Sequence, residues 1–87
     1  MQTISLSNTV INNIALTKGA IGARIELGGI LVSKLDGCGV SPNEARNYAS
    51  RIISRWNKSR GWTLRECIIH EFLTNPTPTR VEIEWRL

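Results

Sequence analysis

The hydrophobic and polar positions of the chain fall into a few periodic runs. The most regular lies at the C-terminus. Val81, Ile83, Trp85 and Leu87 alternate with Arg80, Glu82, Glu84 and Arg86, the period-two pattern of a strand buried on one face. It predicts a strand over residues 80–87. Ala23-Arg24-Ile25-Glu26-Leu27 alternates in the same way, Gly28-Gly29 follows, and Ile30-Leu31-Val32-Ser33-Lys34-Leu35 resumes a β-like run. A glycine pair between two such runs is a hairpin signal, because primed turns need positive φ and glycine supplies it without steric cost. In that register Leu27 faces Ile30 and Ile25 faces Val32 on one side, with Arg24, Glu26 and Ser33 on the other. The expectation is an antiparallel hairpin over residues 23–35.

Period 3.6 dominates the middle of the chain. Asp36-Gly37-Cys38-Gly39 breaks the preceding run, and Ser41-Pro42-Asn43-Glu44 then reads as a helix start. Serine can cap, proline suits the first helical position, and Glu44 can reach back to the cap amide. At 100° per residue Ala45, Ala49, Ile52 and Trp56 form a narrow apolar sector, with Tyr48 and Ile53 at its edges. One long amphipathic helix is therefore expected over residues 42–60, stopped by Gly61.

Two stretches fit more than one pattern. In residues 1–20, Thr3-Ile4-Ser5-Leu6 alternates as a short strand would. Val10, Ile11, Ile14 and Ala15 have helical spacing, with Asn8 or Thr9 as caps and Lys18-Gly19 as a close; an irregular strand is the alternative. In residues 62–73, Thr63-Leu64-Arg65-Glu66 fits a capping box and Leu64, Ile68 and Phe72 are spaced by four, but Cys67-Ile68-Ile69 is β-like. The reading adopted there is a strand. Thr74-Asn75-Pro76-Thr77-Pro78 reads as a loop. Together these elements predict an α+β fold: a small antiparallel sheet, from the hairpin and the C-terminal strand, with the long helix packed on one face.

With 87 residues the chain suits one domain, residues 1–87, whose core is thin. Hydrophobic residues at 41% and charged residues at 21% indicate a folded globule. There is no long apolar run and no signal-peptide pattern at Met1–Leu6, so a cytoplasmic protein without membrane contact is expected. Two cysteines, Cys38 and Cys67, are too few for a disulfide scaffold and are read as free thiols. With His70 as the single histidine, neither a metal site nor a catalytic triad can be assembled from familiar parts, and no cofactor motif is present. Cys38, in a glycine-rich loop before a helix, is the one candidate nucleophile; a small residue in a tight turn is the plainer reading. A non-enzymatic protein is expected.

Charge placement carries the functional reading. The net charge is +4, and Arg46, Arg51, Arg55, Lys58, Arg60 and Arg65 lie in a stretch of twenty residues that contains no acid. Arg51, Arg55 and Lys58, spaced by four and three, share one helix face, bordered by Tyr48, Asn47 and Ser54. Guanidinium groups fit phosphates bidentately, and a tyrosine beside them can stack on a base. The plain alternative is a solvated face whose cations favour the helix C-terminus. Trp56 and Trp85 fall on core faces; Trp62 has no periodic role and is read as a further core residue, with an exposed partner anchor as the alternative. The expected partner is nucleic acid, met by Arg51, Arg55, Lys58, Arg46 and Arg60 with Tyr48 and Asn47 as secondary contacts. Replacing Arg51, Arg55 and Lys58 by glutamate is expected to leave the fold intact. The alternative function is a small protein-binding inhibitor or adaptor of the phage or mobile-element type, such as an anti-CRISPR-like modulator, docking on an acidic protein surface.

Overall fold

The computed structural model describes residues 2–75 and 81–87. The elements run β1 (Gln2–Ser7), α1 (Asn8–Thr17), α2 (Ala20–Leu35), a 3-10 turn (Asp36–Cys38), α3 (Pro42–Lys58), α4 (Leu64–Thr74) and β2 (Val81–Arg86). Four helices thus lie between two terminal strands.

The antiparallel hairpin over residues 23–35 is not formed; the segment is helix α2. Beneath the alternation the run carries a second spacing, Ala23, Leu27, Leu31 and Leu35, each four apart. These residues are fully buried together with Gly28, whereas Ile25, assigned to the inner face of the hairpin, is 68% exposed. A continuous apolar stripe therefore outweighs two interior glycines, which cost about 1 kcal/mol each relative to alanine in a helix. Gly28 also lies against α3, where a Cβ would meet the Ala49 methyl at 3.8 Å.

Residues 62–73, read as a strand, also fold as a helix, α4. Its capping box is complete. Thr63 Oγ1 accepts from the Glu66 amide at 3.1 Å, and Glu66 Oε1 accepts from the Thr63 amide at 3.2 Å. Leu64, Cys67, Ile68 and Glu71 turn inward, so a buried carboxylate stands inside the stripe that would otherwise have marked the helix.

Helix α3 starts at the expected residue, with Ser41 Oγ accepting from the Glu44 amide at 3.2 Å and Pro42 opening the helix, though the Glu44 side chain does not complete the capping box. It ends at Lys58 rather than at Arg60. Ser59 takes an extended conformation and its amide still bonds the Arg55 carbonyl, while Gly61, at φ 90°, turns the chain into α4. In the other connection Gly39, at φ 77°, leads from the 3-10 turn toward α3.

The C-terminal strand is present over Val81–Arg86, but its pairing is not antiparallel. It lies parallel to β1, with Ile4 beside Ile83 and Leu6 beside Trp85. Ile4 and Leu6 are buried beneath α1, and Val81, Ile83 and Trp85 pack against the same core. Glu82, Glu84 and Arg86 are exposed, as the alternation requires, but Leu87, which the same alternation puts on the inner face, lies past the end of the strand and is 98% exposed. The whole helical crossover separates the two partners, which is the only way parallel neighbours can be joined. Arg80 and the Pro76–Pro78 part of the expected loop lie outside the described residues; Thr74 ends α4 and Asn75 caps it. At the other end Ser7 closes β1 and caps α1, accepting from the Val10 amide at 3.2 Å. Helices α2 and α3 form the largest helix interface, where Gly28 lies against Ala49 and the Arg46 stem.

Candidate anion groove between two helices

Helix α3 runs with one flank against α2 and the other against α4. On the α4 side its residues Arg51, Ser54, Arg55, Lys58 and Ser59 line an open groove of about 440 Å³, closed by Glu71 and Asn75 from α4. The four- and three-residue spacing that places the cations on one face is the cause. α4 then rises beside that face because the Tyr48 and Phe72 rings stack in parallel, centroids 5.0 Å apart.

Glu71 organises the groove. Its side chain is 1% exposed, and Oε2 accepts from Arg51 Nε at 2.7 Å and from Asn75 Nδ2 at 2.9 Å. The Arg51 contact runs through Nε, so the two terminal nitrogens of the guanidinium are not spent on it. Arg51 also lies over the Tyr48 ring, with Cζ 4.8 Å from the centroid. Pinned on two sides, this arginine loses little rotamer freedom when an anion arrives. Three cations face the single Glu71 carboxylate, so the groove is net positive.

Tyr48 is buried rather than presented. It is 4% exposed, stacks on Phe72 and donates its hydroxyl to the Asn75 carbonyl. Burial pushes its phenol above the ordinary value, an effect the Arg51 guanidinium opposes. Asn47 is exposed one turn before Arg51, and Arg60 is exposed just past the helix end. Arg46 stands on the opposite flank, its Cγ against α2 at Gly28, and is not brought to the groove. Arg65 is drawn to β2, where its guanidinium lies 4.8 Å from the Trp85 ring centroid.

The sequence reading leaves Glu71 out of the site: its pairing with Arg51, twenty residues away, depends on how α4 packs beside α3, which no local pattern announces. Cys38 and Cys67 are both free and buried. Burial pushes the Cys67 thiol up, partly offset by its hydrogen bond with Ser59 and by Arg55. His70 sits edge-on to Trp62, with ring centroids 5.4 Å apart. Among the described residues no three metal-ligating side chains cluster, and no helix is long and apolar enough to cross a membrane.

No protein-family model, curated protein or solved structure matches the chain. Function is therefore argued from the groove.

Proposed function

We propose that the protein is a non-enzymatic nucleic-acid-binding module, or an accessory subunit of a nucleoprotein complex, that holds phosphates in the α3–α4 groove. The observation that supports this reading is the convergence of Arg51, Arg55 and Lys58 with two serine hydroxyls on one open groove, organised by Glu71. Arginines present a planar donor fork to phosphate, Lys58 adds a point charge, and Ser54 and Ser59 can donate to the remaining oxygens. Arg60 and Asn47 extend the contact at either end.

The test is binding at two salt concentrations. Each neutralised phosphate releases condensed counterions, so three contacts give a log–log slope of roughly −2 to −3. Arg55 and Lys58 are the residues to reverse. Both are exposed, whereas Arg51 compensates a buried carboxylate, and glutamate there would set two acids against each other. The Arg55→Glu/Lys58→Glu protein should fold and lose salt-sensitive binding. Unchanged binding in that folded variant sinks the proposal.

A second reading rests on a different observation. Ile21 and Ile25, one turn apart on α2, are 70% and 68% exposed. Such a pair, beside a small cleft lined by Arg24, Ile53 and Asn57, suits a protein partner. A partner captured from nuclease-treated lysate and lost on Ile25→Glu would favour the inhibitor or adaptor reading.

A further inference from the structure

We infer that the groove takes single-stranded rather than duplex nucleic acid, with Trp62 as the platform on which a base stacks. The inference rests on the phosphate-binding reading above and adds the class of strand.

Shape argues against a duplex. An α-helix reads DNA by entering a major groove about 12 Å wide. Here the cations lie where α3 meets α4, and Arg51 is tied to α4 through Glu71. Two packed helices, with axes about 8–10 Å apart and each about 10 Å across, measure close to 20 Å together. Neither can enter a major groove with the cations in front of it. An extended single strand can lie along the groove, past charges that span about 10 Å of the α3 axis at 1.5 Å per residue.

A single strand also needs a surface for its unstacked bases, and Tyr48 cannot supply it, being stacked and hydrogen-bonded within the protein. Trp62 can. It is 41% exposed in the α3–α4 connection, three residues beyond Ser59, which lines the groove. The ring it meets edge-on belongs to His70, the neighbour of Glu71, which lines the groove from α4. Trp62 is thus three residues from one lining residue, and the ring that braces it is adjacent in sequence to another. An edge-on contact braces the indole while leaving a face for a base, and Arg60 stands between groove and platform in the chain. The turn depends on Gly61, whose φ of 90° sets the chain direction just before the tryptophan.

The test compares mixed-sequence single-stranded DNA, single-stranded RNA and duplex DNA of about 12 nucleotides, within the usual site-size range. Wild type, Trp62→Ala, Trp62→Phe and Arg55→Ala/Lys58→Ala proteins are each measured, with helical circular dichroism confirming the fold. Single strands should bind at least tenfold more tightly than duplex. Trp62→Ala should weaken single-strand binding roughly 5- to 150-fold and leave duplex binding unchanged, while Trp62→Phe retains most of it. Tryptophan fluorescence should be quenched by single strands in wild type, and far less in Trp62→Ala. Duplex binding as tight as single-strand binding, or a Trp62→Ala protein that binds single strands like wild type, overturns this inference and leaves the phosphate groove standing. Absence of binding to all three probes overturns the nucleic-acid reading itself.

Discussion

Arg51 and Glu71 form the one ion pair of the described residues with a fully buried member, and the two sides are unequal. Arg51 is 46% exposed at its side chain and Glu71 1%. Removing the arginine leaves a buried carboxylate with only Asn75 as donor, whereas removing the glutamate leaves a guanidinium that water can reach. Arg51→Ala should therefore cost about 2–3 kcal/mol of stability, and Glu71→Gln, which keeps the shape and a hydrogen-bond acceptor, about 1 kcal/mol. Urea midpoints of the two variants check this; equal losses would show that water already reaches the carboxylate. The alkaline limb of stability belongs to Tyr48 and Cys67. Burial raises both groups above their ordinary values of 10.0 and 9.0. The folded protein then holds protons that the unfolded chain releases. The contribution is complete below about pH 9 and is lost as pH rises through the folded values. Unfolding midpoints should fall above about pH 9, less steeply in Tyr48→Phe. Because both thiols are buried, neither should react with a thiol reagent in the native protein, and both should react after unfolding.

Helix α2 shows what its glycines contribute. Gly29 is exposed, has no positive φ, and a Cβ built on it meets nothing within 4 Å. Gly29→Ala should raise stability by about 0.5–1 kcal/mol through helix propensity and the unfolded chain's lost freedom. A drop in thermal midpoint would mean that the backbone there is not helical. The legibility of each element follows from how many signals agree. In α3 the cap, the proline and the apolar sector coincide, and its start is read to the residue. In α2 the local signals disagreed with the packing. Gly28-Gly29 and the alternating Ala23, Ile25 and Leu27 describe a hairpin, while Ala23, Leu27, Leu31 and Leu35 describe a helix that only a facing α3 makes profitable. For α4 the capping box was visible, but Glu71 interrupts the apolar stripe, and its partner Arg51 lies twenty residues away. The cation face of the candidate site was legible because it is local to α3. Its Glu71 wall, the burial of Tyr48 and the separation of Arg46 were not, since all three depend on which helix packs on which flank.

At the scale of the molecule the parallel pairing of β1 and β2 joins the two ends of the chain, Gln2 beside Val81 and Ser7 beside Arg86. No local pattern announces such a pairing. Each strand shows only its own alternation, and the partner is settled by the helices between them. That topology makes a kinetic prediction. The α2–α3 contact closes over a short turn, so it incurs little loop entropy and can form early. The sheet must close the whole crossover and rewards that cost only once the helices have shortened the distance. Leu6, buried on β1, and Leu31, buried in the apolar stripe of α2, are both suited to truncation. Each alanine variant should cost about 2–5 kcal/mol, enough for a reliable comparison of folding and unfolding rates. Leu31→Ala should chiefly slow folding, because its contacts are already made in the transition state. Leu6→Ala should leave the folding rate nearly unchanged and speed unfolding by most of the lost stability. A Leu6→Ala protein that folds markedly more slowly than wild type would mean that the strands dock before the helices pack, and that the sheet, small as it is, nucleates the fold.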